Sequence, residues 1–99
     1  VVSESMFYTL MAFLYGEYSG AEIASIVEKL TKGRVRLGPA TLYTILGRFE
    51  EEQILMETRT DGRKRIYRIT DKGIQMYHDE HERLVQCLAD AAAWEEESK

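Results

Sequence analysis

The stretch Gly38-Pro39-Ala40-Thr41-Leu42-Tyr43-Thr44-Ile45-Leu46-Gly47-Arg48-Phe49-Glu50-Glu51-Glu52 decides how this sequence folds. Pro39 suits the first turn of a helix, because its missing N–H would have no partner there anyway. Four apolar residues then share one helical side through the i, i+3, i+4, i+7 spacing, namely Leu42, Ile45, Leu46 and Phe49. The stretch therefore predicts one short amphipathic helix whose apolar side is buried.

The polar side of this helix carries four hydrogen-bond donors, namely Thr41, Tyr43, Thr44 and Arg48. Packing requires nothing particular at these positions, yet all four side chains can donate to phosphates or base edges. We therefore interpret the stretch as a DNA recognition helix. Two alternatives remain open at this point. Tyr43 can pack, partly buried, on the first turn, and Arg48 can pair with Glu51 or Glu52 at i+3 or i+4.

Composition is typical of a small globular domain. The 99 residues are 44% hydrophobic and 30% charged, which argues against wholesale disorder and allows a modest core. No apolar run approaches the ~20 residues that a membrane-spanning helix needs, and no basic segment typical of a signal peptide precedes Glu4. The single cysteine, Cys87, excludes an intramolecular disulfide. We expect a protein of the reducing cytoplasm.

Charge is distributed unevenly along the chain, whose formal net charge is −4. Residues 1–28 contain four acids and no Lys or Arg, and residues 73–99 contain two bases and seven acids. Residues 29–72 contain eleven bases and six acids, a net charge of +5. Because local potential governs where a polyanion docks, the middle of the chain predicts a basic patch for nucleic acid. A solvated surface of mixed charge is the alternative.

Two helices are predicted before the recognition helix. The first covers residues 4–15 and is apolar on most sides, which predicts burial on more than one side, in the core or against another subunit. The second opens with a capping box formed by Ser19 and Glu22. We expect Gly33 at its C′ position. The alternation in residues 34–37 predicts a very short strand with its arginines facing outward.

A basic β-hairpin is predicted after the recognition helix. Two strand-like runs, residues 54–58 and 65–69, flank the tight-turn signal Asp61-Gly62. The tip is basic, with Arg59, Arg63, Lys64 and Arg65. Three helices followed by such a hairpin are the order of a winged helix-turn-helix, an α+β and mostly helical fold. In that fold the third helix enters the major groove and the wing touches the DNA backbone or minor groove.

The last predicted helix starts at Thr70, a good N-cap residue. Its apolar positions repeat at 3 and 4 residues, as in a heptad seam: Ile74, Tyr77, His81, Leu84, Leu88 and Ala91. About 24 residues give roughly 36 Å of helix, too long for a domain of this size to cover alone. We therefore predict a winged domain, residues 1–70, and a dimerisation helix, residues 71–99. The opposite side, including Asp79 and Glu80, is expected in solvent; a long core helix is the alternative.

No constellation of residues predicts catalysis or a metal site. His78 and His81 are spaced i, i+3 but lack a third convergent ligand, so we expect no metal. Nucleophile–base pairs and Gly-rich phosphate loops are absent, so we expect neither an enzyme nor a bound cofactor. Cys87 is expected to be a buried free thiol, and Trp94 an interface aromatic or the wall of a cavity for a flat ligand.

The sequence resembles the PadR family of bacterial transcriptional regulators over roughly residues 6–94. The most specific piece is residues 37–54, LGPATLYTILGRFEEEQI, which is similar to the recognition-helix signature of that family. Residues 61–73, DGRKRIYRITDKG, resemble its wing and the start of its last helix. Phe49 stands where Leu is usual, and Gln53 stands where Gly is usual.

The resemblance implies a homodimeric winged-helix repressor of promoter DNA that reads a pseudo-palindromic site. The predicted DNA contacts are Thr41, Tyr43, Thr44, Arg48, Arg36, Arg63, Lys64 and Arg65. The predicted dimer interface joins Phe7, Leu10 and Leu14 of the first helix to Tyr77, His81, Leu84, Leu88 and Ala91. Two alternatives remain: a sensor of small aromatic effectors at the dimer interface, and an interaction adaptor that has lost DNA binding.

Overall fold

The computed structural model describes residues 1–99 and contains four helices and one antiparallel hairpin. The helices are Glu4–Phe13 (α1), Gly20–Leu30 (α2), Pro39–Glu51 (α3) and Asp71–Glu97 (α4). The strands are Leu55–Asp61 (β1) and Lys64–Ile69 (β2), and they form the wing. Three helices, a hairpin and a long C-terminal helix confirm the predicted α+β winged helix-turn-helix.

Short polar residues start the helices where the sequence predicts them. Ser19 and Glu22 form the capping box, since the Ser19 N–H donates to Glu22 Oε1 over 2.9 Å and Ser19 Oγ accepts from the Glu22 N–H. Thr70 caps α4 by accepting from the Gly73 N–H. Pro39 lies in the first turn of α3, after Gly38 as N-cap. Local sequence thus determines where α2, α3 and α4 begin.

Helices α2 and α3 both end in a left-handed residue. The Gly33 N–H donates to Glu28 O, and Lys32 has a φ of 53°, so the C′ residue of α2 is Lys32 and not Gly33 as predicted. Gln53 follows α3 with a φ of 60°, and the Ile54 N–H donates to Phe49 O over 2.7 Å. The turn after α3 is therefore kept although Gln replaces the usual Gly of the signature.

The core forms where α3 meets α1, α2 and the base of the wing. All four inward residues of α3 are buried, as predicted, and Phe49 is completely inaccessible. They pack in one cluster with residues that include Phe13, Ile23 and Ile54. Gly73 brings α4 against this cluster, because a Cβ there would lie 2.6 Å from Ile54 O. The predicted strand at residues 34–37 is absent; Val35 and Leu37 are buried, but no strand pairs with them.

One side of α1 is buried in the core. Met6, Leu10 and Phe13 face the core, whereas Phe7 and Leu14 are only partly buried. Leu10 is completely inaccessible within one chain, so its assignment to a dimer interface was wrong. The helix is apolar almost all round, and the sequence alone did not reveal which side meets α2 and α3.

The wing is longer than predicted. Asp61 pairs with Lys64, so the loop has two residues, Gly62 and Arg63, and the strands run to the tip. Gly62 has a φ of 63°, which suits the first loop position of a type II′ turn. The turn is therefore centred one residue later than the Asp61-Gly62 signal indicates. A register shift between Glu57 and Arg59 leaves Thr58 as the extra residue of a β-bulge.

Helix α4 extends well beyond the rest of the chain. Its 27 residues span about 40 Å, and the radius of gyration is 15.5 Å, against about 13 Å for a compact domain of this size. Glu80 is buried and accepts from Arg83 at 2.6 and 2.8 Å, which corrects the expectation that it faces solvent. No helix combines the length and apolar character needed to cross a membrane.

Candidate nucleic-acid interface

The polar side of α3 lies open on the surface. Thr41, Tyr43, Thr44 and Arg48 are all exposed, and Tyr43 is 64% accessible. The Thr44 hydroxyl donates to Ala40 O over 2.8 Å, so its oxygen remains as an acceptor and its methyl group as an apolar contact. An exposed phenol and two threonines on a rigid helix form a surface suited to base edges and phosphates.

Two clefts flank this exposed side. The first, which we call the wing cleft, lies between α3 and the hairpin; Tyr43, residues 19–21 at the start of α2 and residues 63–65 of the wing line it. The second, the α1 cleft, lies on the other flank. Ser3 and Ser5 at the start of α1 line it together with Thr41, Thr44 and Arg48. The sequence does not predict that Ser3 and Ser5 lie here, because no local signal relates them to a helix more than 30 residues away.

Most of the arginines near α3 and the wing are engaged in ion pairs. Arg48 donates to Glu52 over 2.8 Å, so the alternative of an i, i+4 pair is realised in the free protein. The other pairs are Arg36 with Glu28, Arg59 with Glu17, and Arg65 with both Glu50 and Glu57. These side chains are partly exposed, and such pairs can exchange for phosphate.

Arg63 and Lys64 are among the bases outside these ion pairs. Neither makes an ion pair or a side-chain hydrogen bond, and both lie at the exposed tip of the wing. The charge of Lys64 acts locally: hydrogen bonds with Ser19 lower the pKa of Glu22, and the positive charges of Lys64 and Arg59 lower it further. Of the bases in residues 29–72 that make no ion pair, Arg63 and Lys64 lie beside Tyr43, in the wing cleft.

Arg36 does not join these residues. It lies in the connection between α2 and α3, its guanidinium is 3.3 Å from Glu28 of α2, and it lines neither cleft. Seven of the eight predicted DNA contacts therefore line one of the two clefts, and only Arg36 lines neither.

The residues predicted for a dimer interface lie along α1 and α4. Phe7 stacks on Tyr77 with ring centroids 5.2 Å apart, and His81 lies 6.0 Å from Tyr77. Leu14 and Leu84 are partly buried, whereas Leu88 is 72% accessible. Ala91 is exposed as well. Apart from Leu10, these side chains retain accessible surface in a single chain.

Three other singled-out residues lie on the surface. Cys87 is exposed, with Arg83 Nη1 3.7 Å from its Sγ, and not a buried thiol as expected. Trp94 is 71% accessible. His78 is also exposed, and its neighbours do not complete a metal site, since no group of three or more His, Cys, Asp or Glu side chains converges.

Three packed helices, a β-hairpin wing and a long last helix define the winged helix-turn-helix class. Within that class, the sequence pattern of the PadR-like family of transcriptional regulators matches residues 10–79, more than half of the chain. The chain belongs to this family, which confirms the resemblance found in the sequence. It is accordingly a transcriptional regulator and not an enzyme.

Solved structures agree with this assignment. A transcriptional regulator from Clostridium thermocellum superposes with a TM-score of 0.74 at 24% identity, covering 86% of this chain and 88% of that one. Bacillus subtilis PadR, crystallised in complex with operator DNA, gives a TM-score of 0.65 at 25% identity. That match covers 77% of this chain but only 46% of the Bacillus chain.

A more distant neighbour shares the fold. A winged-helix DNA-binding protein from STIV gives a TM-score of 0.72 at 16% identity, covering 81% of this chain and 86% of that one. A sequence search among curated proteins gave no significant match.

Proposed function

We propose that this regulator binds operator DNA as a homodimer and represses the promoter that contains it. The observation that carries the proposal is the wing cleft, where Tyr43 of α3 meets the two unpaired bases Arg63 and Lys64. A helix with hydrogen-bonding side chains and a cationic hairpin beside it match the major groove and the adjacent phosphates. The complex of Bacillus subtilis PadR with operator DNA supports this proposal.

The two parts of the surface have different tasks in this proposal. Thr41, Tyr43 and Thr44 face the groove and determine sequence preference, because base edges carry the sequence information. Arg63 and Lys64 bind phosphates and supply affinity that does not depend on sequence. Arg48 can exchange Glu52 for a phosphate at the edge of the same surface. Its contribution is smaller than that of Arg63 or Lys64, because breaking the Glu52 pair offsets part of the gain.

Dimerisation through α4 completes the proposal. Every residue of α4 from Val85 onward is exposed, and Val85, Leu88 and Trp94 are more than half accessible. Apolar side chains at heptad spacing bury this surface when two such helices pair. A symmetric dimer presents two recognition helices to half-sites roughly 34 Å apart, one DNA turn, which requires a pseudo-palindrome. We infer that a dimer bound at such a promoter site blocks transcription. We also place the protein in the cytoplasm, where the promoter DNA lies.

Mobility shifts across a salt series test DNA binding. The probe is the protein's own upstream region, with a scrambled duplex of equal length for comparison. If each subunit neutralises three or four phosphates, the log–log slope of affinity against salt is roughly −5 to −7 for the dimer. A flat salt response, or equal affinity for both duplexes, contradicts the proposal. Raised expression from the promoter when the regulator is deleted tests repression.

A small aromatic effector is a second candidate, favoured by the exposed ring of Trp94 on α4. Trp94 is the single tryptophan, so its fluorescence reports on this helix alone. An effector seated between two α4 helices shifts that emission and releases operator DNA. Titration with a panel of phenolic acids and planar dyes checks this; unchanged emission with every compound removes the candidate.

A further inference from the structure

The most connected side chain of the wing is Arg65. Its Nη2 donates to Glu50 Oε1 over 2.6 Å and to Glu57 Oε2 over 2.9 Å, and its Nε donates to the same Glu57 oxygen over 3.2 Å. Its guanidinium also lies 5.3 Å from the centre of the Tyr67 ring. Glu50 belongs to α3 and Glu57 to β1. One guanidinium therefore joins both strands of the wing to the recognition helix.

This connection is the wing's one ion pair with α3. At its base the hairpin is held by the backbone pair between Tyr18 and Tyr67, with N–O distances of 2.9 and 3.0 Å. Arg59 ties the wing to Glu17, in the turn after α1. Between Arg65 and the tip, no ion pair or side-chain hydrogen bond joins the wing to α3, so Arg65 is the last residue of β2's tip end that is tied to the recognition helix.

The charge of this cluster argues against a phosphate contact. One guanidinium and two carboxylates, those of Glu50 and Glu57, carry a net charge of −1, and hydrogen bonds to Glu57 raise the pKa of Arg65 further. A phosphate approaching Arg65 meets both carboxylates as well. Arg63 and Lys64 at the tip carry a charge of +2 with no carboxylate partner. Phosphate therefore binds the tip, and the Arg65 cluster remains intact.

We propose that Arg65 is a positioning residue for DNA binding, and not the DNA contact that the sequence indicates. It holds the wing and the recognition helix at the separation at which Tyr43 and the wing tip engage one duplex together. The inference rests on the proposed function and adds to it the reason why the tip is placed correctly. Without the contacts of Arg65 with Glu50 and Glu57, the wing samples several orientations. The apparent affinity for DNA then falls in proportion to the fraction of molecules whose wing is oriented for binding. We expect a loss of about 3- to 10-fold.

The salt slope separates a positioning residue from a phosphate contact. Arg65→Ala is expected to weaken operator binding while leaving the slope unchanged, because no counterion release is lost. Lys64→Ala, its neighbour at the tip, is the matched control and is expected to flatten the slope by about 1.8 for a dimer, at 0.9 per phosphate. If Arg65→Ala flattens the slope as Lys64→Ala does, Arg65 contacts phosphate and the inference is wrong.

Two conservative variants distinguish a positioning role of Arg65 from a purely electrostatic one. Arg65→Lys keeps the positive charge, but an ammonium group lacks the planar set of donors that bonds Glu50 and Glu57 together. It should therefore lose as much affinity for the operator as Arg65→Ala. Glu50→Gln removes a negative charge and would tighten binding if only charge mattered; positioning predicts weaker binding instead. Full affinity of Arg65→Lys, or tighter binding with a steeper slope in Glu50→Gln, overturns the inference.

These variants distinguish a failure of the proposed operator binding from a failure of the positioning role of Arg65. If the wild-type protein does not bind the operator, the proposed function fails and the inference falls with it. If the wild-type protein binds and Arg65→Ala binds equally well, only the inference fails. Urea unfolding of each variant shows that losses of binding do not arise from unfolded protein. The expected result is a folded Arg65→Ala with weaker operator binding and the wild-type slope.

Discussion

Gln53 ends the recognition helix in a left-handed conformation, with a φ of 60°. A side chain with a Cβ is strained there, and Gly is not. We predict that Gln53→Gly raises the free energy of unfolding by about 0.5–1 kcal/mol, as measured by urea denaturation. Glu51→Gly is the control, because position 51 is helical and Gly should destabilise it by about 1 kcal/mol. Equal effects of the two substitutions would show that the turn is not left-handed.

Two helical glycines predict opposite effects of the same substitution. Gly47 lies inside α3 with nothing within 4 Å of an added Cβ, so Gly47→Ala should stabilise by about 0.5–1 kcal/mol. A Cβ on Gly73 would lie 2.6 Å from Ile54 O and from Ile69 Cγ1. Gly73→Ala should therefore destabilise by about 1–3 kcal/mol. Thermal unfolding of the pair checks both signs, and a destabilised Gly47→Ala would contradict the open surface.

At the scale of elements, the proposed interface joins α3 and the wing through Tyr43. Tyr43 is 64% exposed, so Tyr43→Ala should change stability little. We expect it to lower operator affinity at least about 10-fold, the loss of about 1.4 kcal/mol or more of binding energy, with the dimer intact. Tyr15→Ala removes another exposed phenol, 90% accessible and outside both clefts, and should leave binding unchanged. Full operator affinity of Tyr43→Ala would remove Tyr43 from the interface.

The sequence predicts the structure of α3 more completely than that of the wing. Every inward residue of α3 follows from periodicity, because a helix places residues at i, i+3 and i+4 on one side whatever surrounds it. The wing was located from its turn signal, but its length and bulge were not. Strand pairing depends on a partner several residues away, and Thr58 gives no local sign that it will be extra.

At the scale of the whole molecule, the exposed half of α4 predicts a dimer. Leu88 is 72% exposed, so Leu88→Glu should leave the monomer folded but place two charges in an apolar seam. We expect it to dissociate the dimer at micromolar concentration in sedimentation equilibrium. Gln86→Glu adds the same charge on the other side of α4 and should leave the dimer intact. A monomeric wild-type protein would refute the seam.

The sequence by itself determined the order of the helices and the hairpin, the caps at Ser19 and Thr70, and the two sides of α3. These features depend on residues within about four positions of one another, through capping and helical periodicity. Family membership also followed from the sequence, since the signature of α3 is local.

Only the tertiary structure decided which basic residues are available for DNA. Arg65 is paired with Glu50, 15 residues away, and Arg59 with Glu17, 42 residues away, whereas Arg63 and Lys64 remain unpaired. It likewise placed Leu10 in the core, buried Glu80 and brought Ser3 and Ser5 beside α3. Ion pairing and burial depend on partners distant in the chain, and a charge in the sequence does not state which partner it will meet.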